Sequence, residues 1–141
     1  SGCICCTMSG QLISNVYRII ENVNPEWIIM EASGVAYPRS IKENLEHSIR
    51  MDSCRVFCVA DAKRWMRLKA AMSSFINDQL DHADVIFINK IDALDETALK
   101  EVEESVKSFN KTAKYFPVCA ANTIDEKVWK EVFGEKQEAK C

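Results

Sequence analysis

Three short runs in this chain of 141 residues carry side chains whose types and spacing suit chemistry. The first is Cys3-Ile4-Cys5-Cys6, which places three of the seven cysteines within four positions, bordered by Gly, Ser and Thr. Thiolates favour Zn2+, Cu+ and other soft or borderline ions. Three sulfurs leave a fourth coordination position open, which a metal carrier requires and a closed structural site does not. In a straight strand Cys3 and Cys5 share a face and Cys6 points away. Convergence therefore requires the chain to turn near Cys6-Thr7, where a first helix is expected to begin. The alternative is a redox-sensitive or merely reduced group of thiols. His47 and His82 could supplement the cysteines, although each reads more simply as a surface or capping histidine.

The second run is Asn89-Lys90-Ile91-Asp92, directly after the apolar "VIFI". A carboxylate at a strand tip can accept two hydrogen bonds at once from N1 and the exocyclic N2 of guanine. Adenine offers no such pair of donors. Asn89 can bridge to the base and tie neighbouring loops together. The stem of Lys90 can lie over the flat face of the ring. The bland alternative is a polar turn after a strand. The third run is Glu31-Ala32-Ser33-Gly34, after "WIIM". An acid there can hold a Mg2+-bound water or orient a hydrolytic one. Gly34 would let the backbone approach a γ-phosphate.

These residues need a scaffold, and the apolar periodicity supplies one. "LISNVYRIIENV" has helical spacing and stops at Asn24-Pro25. "WIIME" reads as a strand buried on both faces. Pro38 opens a helix through "RSIKENLEHSI", and "CRVFCVAD" is a second strand ending at Asp61. Asp61 is read as the cap of the next helix. That helix runs from about Ala62 to Leu80 with one break. "DVIFINKID" is a third strand, "DETALKEVEESVKSFN" an Asp-capped helix, "AKYFPVCAAN" a fourth strand and "DEKVWKEVF" a last helix. Alternation of this kind predicts an α/β fold, a mostly parallel sheet with helices on both faces. One domain over residues 1–133 and a polar tail over 134–141 are expected.

Composition is that of a globular domain, 48% hydrophobic and 28% charged. A net charge of −3 gives no basic field for nucleic acid or an anionic membrane. No apolar run approaches the roughly 20 residues needed to span a bilayer. Residues 1–10 lack the pattern of a signal peptide. With an odd cysteine count, this favours reduced thiols and a cytoplasmic location. Cys54, Cys58 and Cys119 lie in apolar runs and read as small buried hydrophobes.

Taken together, Gly2-Cys3-Ile4-Cys5-Cys6, Glu31-Ala32-Ser33-Gly34 and "QLDHADVIFINKID" resemble the CobW type of metallochaperone GTPase, a group similar to HypB and UreG. The resemblance implies a P-loop NTPase fold of the SIMIBI kind. It also implies GTP binding and hydrolysis coupled to delivery of Zn2+, Co2+ or a related ion to a client protein, with GTP/GDP and Mg2+ as cofactors. By position, Ala120 and Ala121 would close over the base. Asp61 matches a family aspartate less sharply. The expected G-x-x-x-x-G-K-[ST] loop is absent: Gly2, Gly10, Gly34 and Gly134 are the glycines, and none precedes Lys-Ser or Lys-Thr. The family places that loop upstream of the cysteines. The chain is therefore expected to be the later part of such a domain, inactive alone, weak in GTP binding, and to need a partner segment, self-association or a rearranged edge to stay soluble. A non-catalytic metal-binding or interaction module, an accessory GTPase for a corrinoid metalloenzyme, and an unrelated doubly wound domain with an accidental Asn-Lys-x-Asp are the alternatives.

Overall fold

The computed structural model describes residues 4–134, with the backbone alone for residues 4–9. The chain forms two compact units, residues 1–56 and 57–141.

The first unit holds two helices, α1 (Ile4–Val23) and α2 (Pro38–Ser48). Val16, Leu45 and Ile49 form its core, with Leu12, Ile13, Ile20 and Ile41 packed around them. The spacing of these residues along each helix turns them to one face, which is what buries them. Tyr17 donates its hydroxyl hydrogen to the Ser48 carbonyl at 2.6 Å and so links the two helices. α1 stops at Asn24, whose φ of 47° is left-handed and whose N–H donates to Ile20 O at 2.9 Å. Asparagine adopts that conformation more readily than most residues. Pro38 opens α2 with its φ already suited to the first turn.

Between these helices the structure departs from the sequence reading. "WIIME" is not a strand, and residues 24–37 contain neither helix nor strand. Ile29 is 88% exposed and Trp27 59%. A short apolar run becomes a strand only where a neighbouring strand pairs with its backbone groups. Among the described residues of this unit there is no such neighbour. Among the described residues the expected four strands are therefore three.

The second unit is built on a parallel sheet of order β1-β2-β3: β1 (Phe57–Asp61), β2 (Val85–Asn89) and β3 (Lys114–Val118). A short 3-10 turn (Ala62–Arg64) leads into α3 (Trp65–Leu80), which is interrupted once at Met72. α4 (Glu96–Lys107) and α5 (Glu126–Phe133) follow β2 and β3. Both are capped by aspartates, of which the sequence reading named the first. Asp95 accepts from Ala98 N–H at 2.8 Å and Asp125 from Lys127 N–H at 2.8 Å.

Helices flank both faces of this sheet. Cys58 donates its thiol hydrogen to Gln79 O at 3.0 Å, which places α3 on the face of Cys58 and Ala60. α5 covers the other face, where Val132 packs with Val85, Phe116 and Val118. Phe87 adds ring contacts there to Phe116 (5.9 Å) and Trp129 (5.8 Å). Ile86 and Ile88 of the central strand are fully buried. Burial pushes the Cys58 thiol up to about 11, which keeps it protonated and weakly reactive. Cys54, Cys58 and Cys119 are half-buried rather than fully enclosed.

Asn110, buried to 4% exposure, fastens the loops at the far end of the sheet. Its Nδ2 donates to Leu80 O (2.7 Å), Ala83 O (3.0 Å) and, more weakly, Asp81 O (3.3 Å). Its Oδ1 accepts from Thr112 N–H and Ala113 N–H, both at 2.9 Å. Asn110→Asp would turn an acceptor toward those carbonyls. It is expected to lower stability by about 2–4 kcal/mol, the scale of a buried polar group left unpaired. Urea unfolding of the two forms measures this, and a loss well under 1 kcal/mol would contradict the packing described.

Candidate functional site

The site begins with strand register. Asp61 of β1 lies opposite Asn89 of β2, and Asn89 lies opposite Val118 of β3. All three strands therefore end at one level. The residues after them, Ala62, Lys90-Ile91-Asp92 and Cys119-Ala120-Ala121, open on one edge of the sheet. Ligands of open parallel sheets sit beyond this edge.

Asn89 joins two of these loops. Its Oδ1 accepts from its own neighbour, Lys90 N–H, at 2.8 Å and from Ala120 N–H at 2.9 Å. Lys90 is left-handed, with φ 65° and ψ 39°. For a residue with a Cβ that conformation costs about 1–2 kcal/mol. The bond from Asn89 and the 3-10 turn behind it (Ile91–Ala93) hold it in place. The turn presents Asp92 to solvent, and among the described residues its carboxylate accepts no hydrogen bond. Ala120 and Ala121 are exposed in a turn closed by Asn122 N–H donating to Cys119 O at 3.0 Å.

Asp61 has a larger part than sequence reasoning gave it. It does cap the 3-10 turn, its Oδ1 accepting from Arg64 N–H at 3.2 Å. Its Oδ2 also takes Lys90 Nζ at 2.7 Å and Arg64 Nε at 2.9 Å. Burial pushes the Asp61 carboxyl up, but the hydrogen bonds from Lys90 and Arg64 and the Lys90 charge outweigh it. The net effect holds Asp61 below the usual carboxylate range. The signal for this lay in two apolar strands of the same kind, each ending in a polar residue. Parallel pairing puts such ends side by side.

Most of the other sequence-derived residues lie in the first unit. Glu31 is exposed just before a turn in which Ala36 N–H donates to Ser33 O at 2.9 Å. Gly34 sits in that turn, and a Cβ there would meet nothing within 4 Å, so the fold itself places no demand for glycine. Cys5 and Cys6 fall in the first turn of α1, which begins at Ile4 rather than near Thr7 as expected. Cys3 lies outside the described residues. Among the described residues, no three His, Cys, Asp or Glu side chains converge to hold a metal. His47 is exposed in the last turn of α2, and His82 lies on the surface with Nε2 3.2 Å from Asp81 Oδ2. No described helix is long and apolar enough to cross a membrane.

Comparison with known proteins adds a family. The family described as "CobW/HypB/UreG, nucleotide-binding domain" matches residues 1–117. "Zinc-regulated GTPase metalloprotein activator 1" of Dictyostelium discoideum is 24% identical, over 81% of this chain and 30% of its own. "Zinc chaperone CobW" of a Sinorhizobium species is 29% identical, over 77% of this chain and 38% of its own. "Zinc chaperone YeiR" of Escherichia coli K12 is 26% identical, over 64% of this chain and 29% of its own. The chain thus spans about a third of the length of these relatives. No solved structure matches it.

The depressed Asp61 gives a pH dependence with a definite sign. A carboxyl whose folded value is lowered adds stability above its unfolded value, near pH 4, and that stability is lost as pH falls through the lower folded value. Between about pH 5 and pH 3, wild type is therefore expected to lose more urea stability than Asp61→Asn. Parallel pH slopes for the two proteins would contradict the ion pairs described.

Proposed function

From the premise that this chain belongs to the CobW/HypB/UreG nucleotide-binding family, we propose that it forms the base-reading part of a GTP-dependent metallochaperone domain. Residues 1–133 act as one nucleotide-binding domain in this reading. The observation that carries it is the exposed Asp92 carboxylate, which accepts no hydrogen bond among the described residues, on a turn whose entry Asn89 fixes. A carboxylate so placed accepts from guanine N1–H and N2–H together. The Lys90 stem covers one face of the ring, and the backbone at Ala120 and Ala121 closes over its edge.

Hydrolysis in this reading needs a phosphate-binding loop besides the residues of this sequence, and is attack of water on the γ-phosphorus. The bond to the β–γ bridging oxygen breaks, and GDP and phosphate leave. Glu31 orients that water or a water on Mg2+, and Gly34 lies against the γ-phosphate. A phosphate-bound Mg2+ needs only one or two protein carboxylates, which suits an exposed acid such as Glu31. When bound, Mg2+ would neutralise charge on the phosphates.

The metal is cargo. Cys3, Cys5 and Cys6 hold it as thiolates and pass it to a client metalloprotein, in the cytoplasm where thiols stay reduced. Zinc is favoured over cobalt because the relatives' names specify zinc. Nucleotide and metal are coupled, so each changes the affinity of the other by the same factor.

Two measurements follow. Asp92→Asn replaces two acceptors by one acceptor and one donor, which fits xanthine, with a carbonyl in place of N2. GDP binding is expected to fall about 10- to 100-fold and xanthosine diphosphate binding to rise. Titrations followed through the Lys90 and Ala120 amide NMR signals read both, and unchanged base preference would overturn the guanine assignment. Serine at Cys3, Cys5 or Cys6 is expected to weaken Zn2+ binding at least about tenfold in competition with a chromophoric chelator. Full affinity in the triple variant would remove the thiolate carrier.

A further inference from the structure

We propose that Asp61 is a positioning residue for the base-reading loop: its carboxylate holds the Lys90 ammonium at the tip of β1, so the lysine stem is fixed before a base arrives. The inference rests on the guanine reading above and goes past it, to what orders the lysine.

The cap alone does not account for Asp61. Capping uses Oδ1, which accepts from Arg64 N–H. Oδ2 is the oxygen turned toward Lys90, a residue 29 positions away, just past the end of the next strand. Register brings them together, because Asp61 lies opposite Asn89 and Lys90 follows. The anchor is also the better fixed of the two groups. The Asp61 side chain is 13% exposed and bonded to the backbone of its own turn, whereas that of Lys90 is 52% exposed. A lysine stem has four rotatable bonds, and its freedom must be given up if it is to cover a base. Here both ends are held: the backbone by Asn89 Oδ1 in a left-handed conformation, the ammonium by Asp61. A stem stretched between two fixed ends is pre-organised, and pre-organisation raises affinity without a new ligand contact. Lys90 covers any purine face alike, so Asp61 governs how tightly a base is held, whereas Asp92 governs which base.

Arg64 shares Oδ2, so removing the Asp61 charge disturbs two cations at once. A double-mutant cycle with Lys90 separates them. Asp61→Asn is the useful variant because asparagine caps a helix as well as aspartate does. Asp61→Ser also keeps a capping oxygen without the charge, and repeats the measurement if the first variant does not fold. GDP and ADP are titrated into wild type, Asp61→Asn, Lys90→Met and the double variant, with the Ala120 amide signal as readout.

Asp61→Asn is expected to weaken GDP binding about three- to tenfold, the scale of ordering one long side chain. The double variant should bind no more weakly than Lys90→Met alone, and the Arg64 amide signal should stay in place. If the two substitutions act as independent factors, Asp61 serves only its turn and the inference falls while the guanine reading stands. If wild type binds ADP as well as GDP, the guanine reading falls and takes this inference with it.

Discussion

Asn89 Oδ1 accepts hydrogen bonds from two backbone amides on different loops, and the candidate site depends on that double bond. It sets the left-handed turn at Lys90, from which Asp92 is carried outward on a short 3-10 turn. It also draws the loop after β3 toward the loop after β2. Without an acceptor at this point two amides would need other partners, and the turn would have no reason to keep a conformation disfavoured for lysine. Asparagine suits the position: its side-chain oxygen carries two lone pairs and no charge.

The sheet makes this bond possible. Three five-residue strands pair in parallel and end at the same level, so Asp61, Asn89 and Val118 form a row. The central strand is sealed by Ile86 and Ile88 on one face and by Val85 and Phe87 in the aromatic layer under α5 on the other. Asn110 fastens the opposite end, where α3 enters β2 and α4 enters β3. A rigid floor with polar residues at one rim is the arrangement in which loops can present chemistry without carrying the fold.

Much of this was legible in the sequence, for identifiable reasons. The strands within "CRVFCVAD" and "DVIFINKID" show as the apolar runs "VFCVA" and "VIFI", each closed by a polar residue, the pattern of strands in a covered parallel sheet. The cap at Asp95 announced α4 through the residue type that satisfies a first turn, and the structure adds the same kind of cap at Asp125 for α5. What escaped was of two kinds. "WIIME" has strand composition, but strand formation depends on a partner, which composition does not report; the run is irregular and Ile29 is exposed. The link between Asp61 and Lys90, 29 residues apart, needed the register of two strands before its ends could be matched.

The central claim is that the Asp92 carboxylate recognises the donor edge of guanine. Its most direct test is to titrate the isotope-labelled chain with GDP and, separately, with ADP, following the backbone amides of Lys90, Asp92 and Ala120. The account predicts saturable shifts at these three residues with GDP and none with ADP at the same concentrations. Equal shifts with both nucleotides, or shifts with GDP confined to other residues, would contradict it.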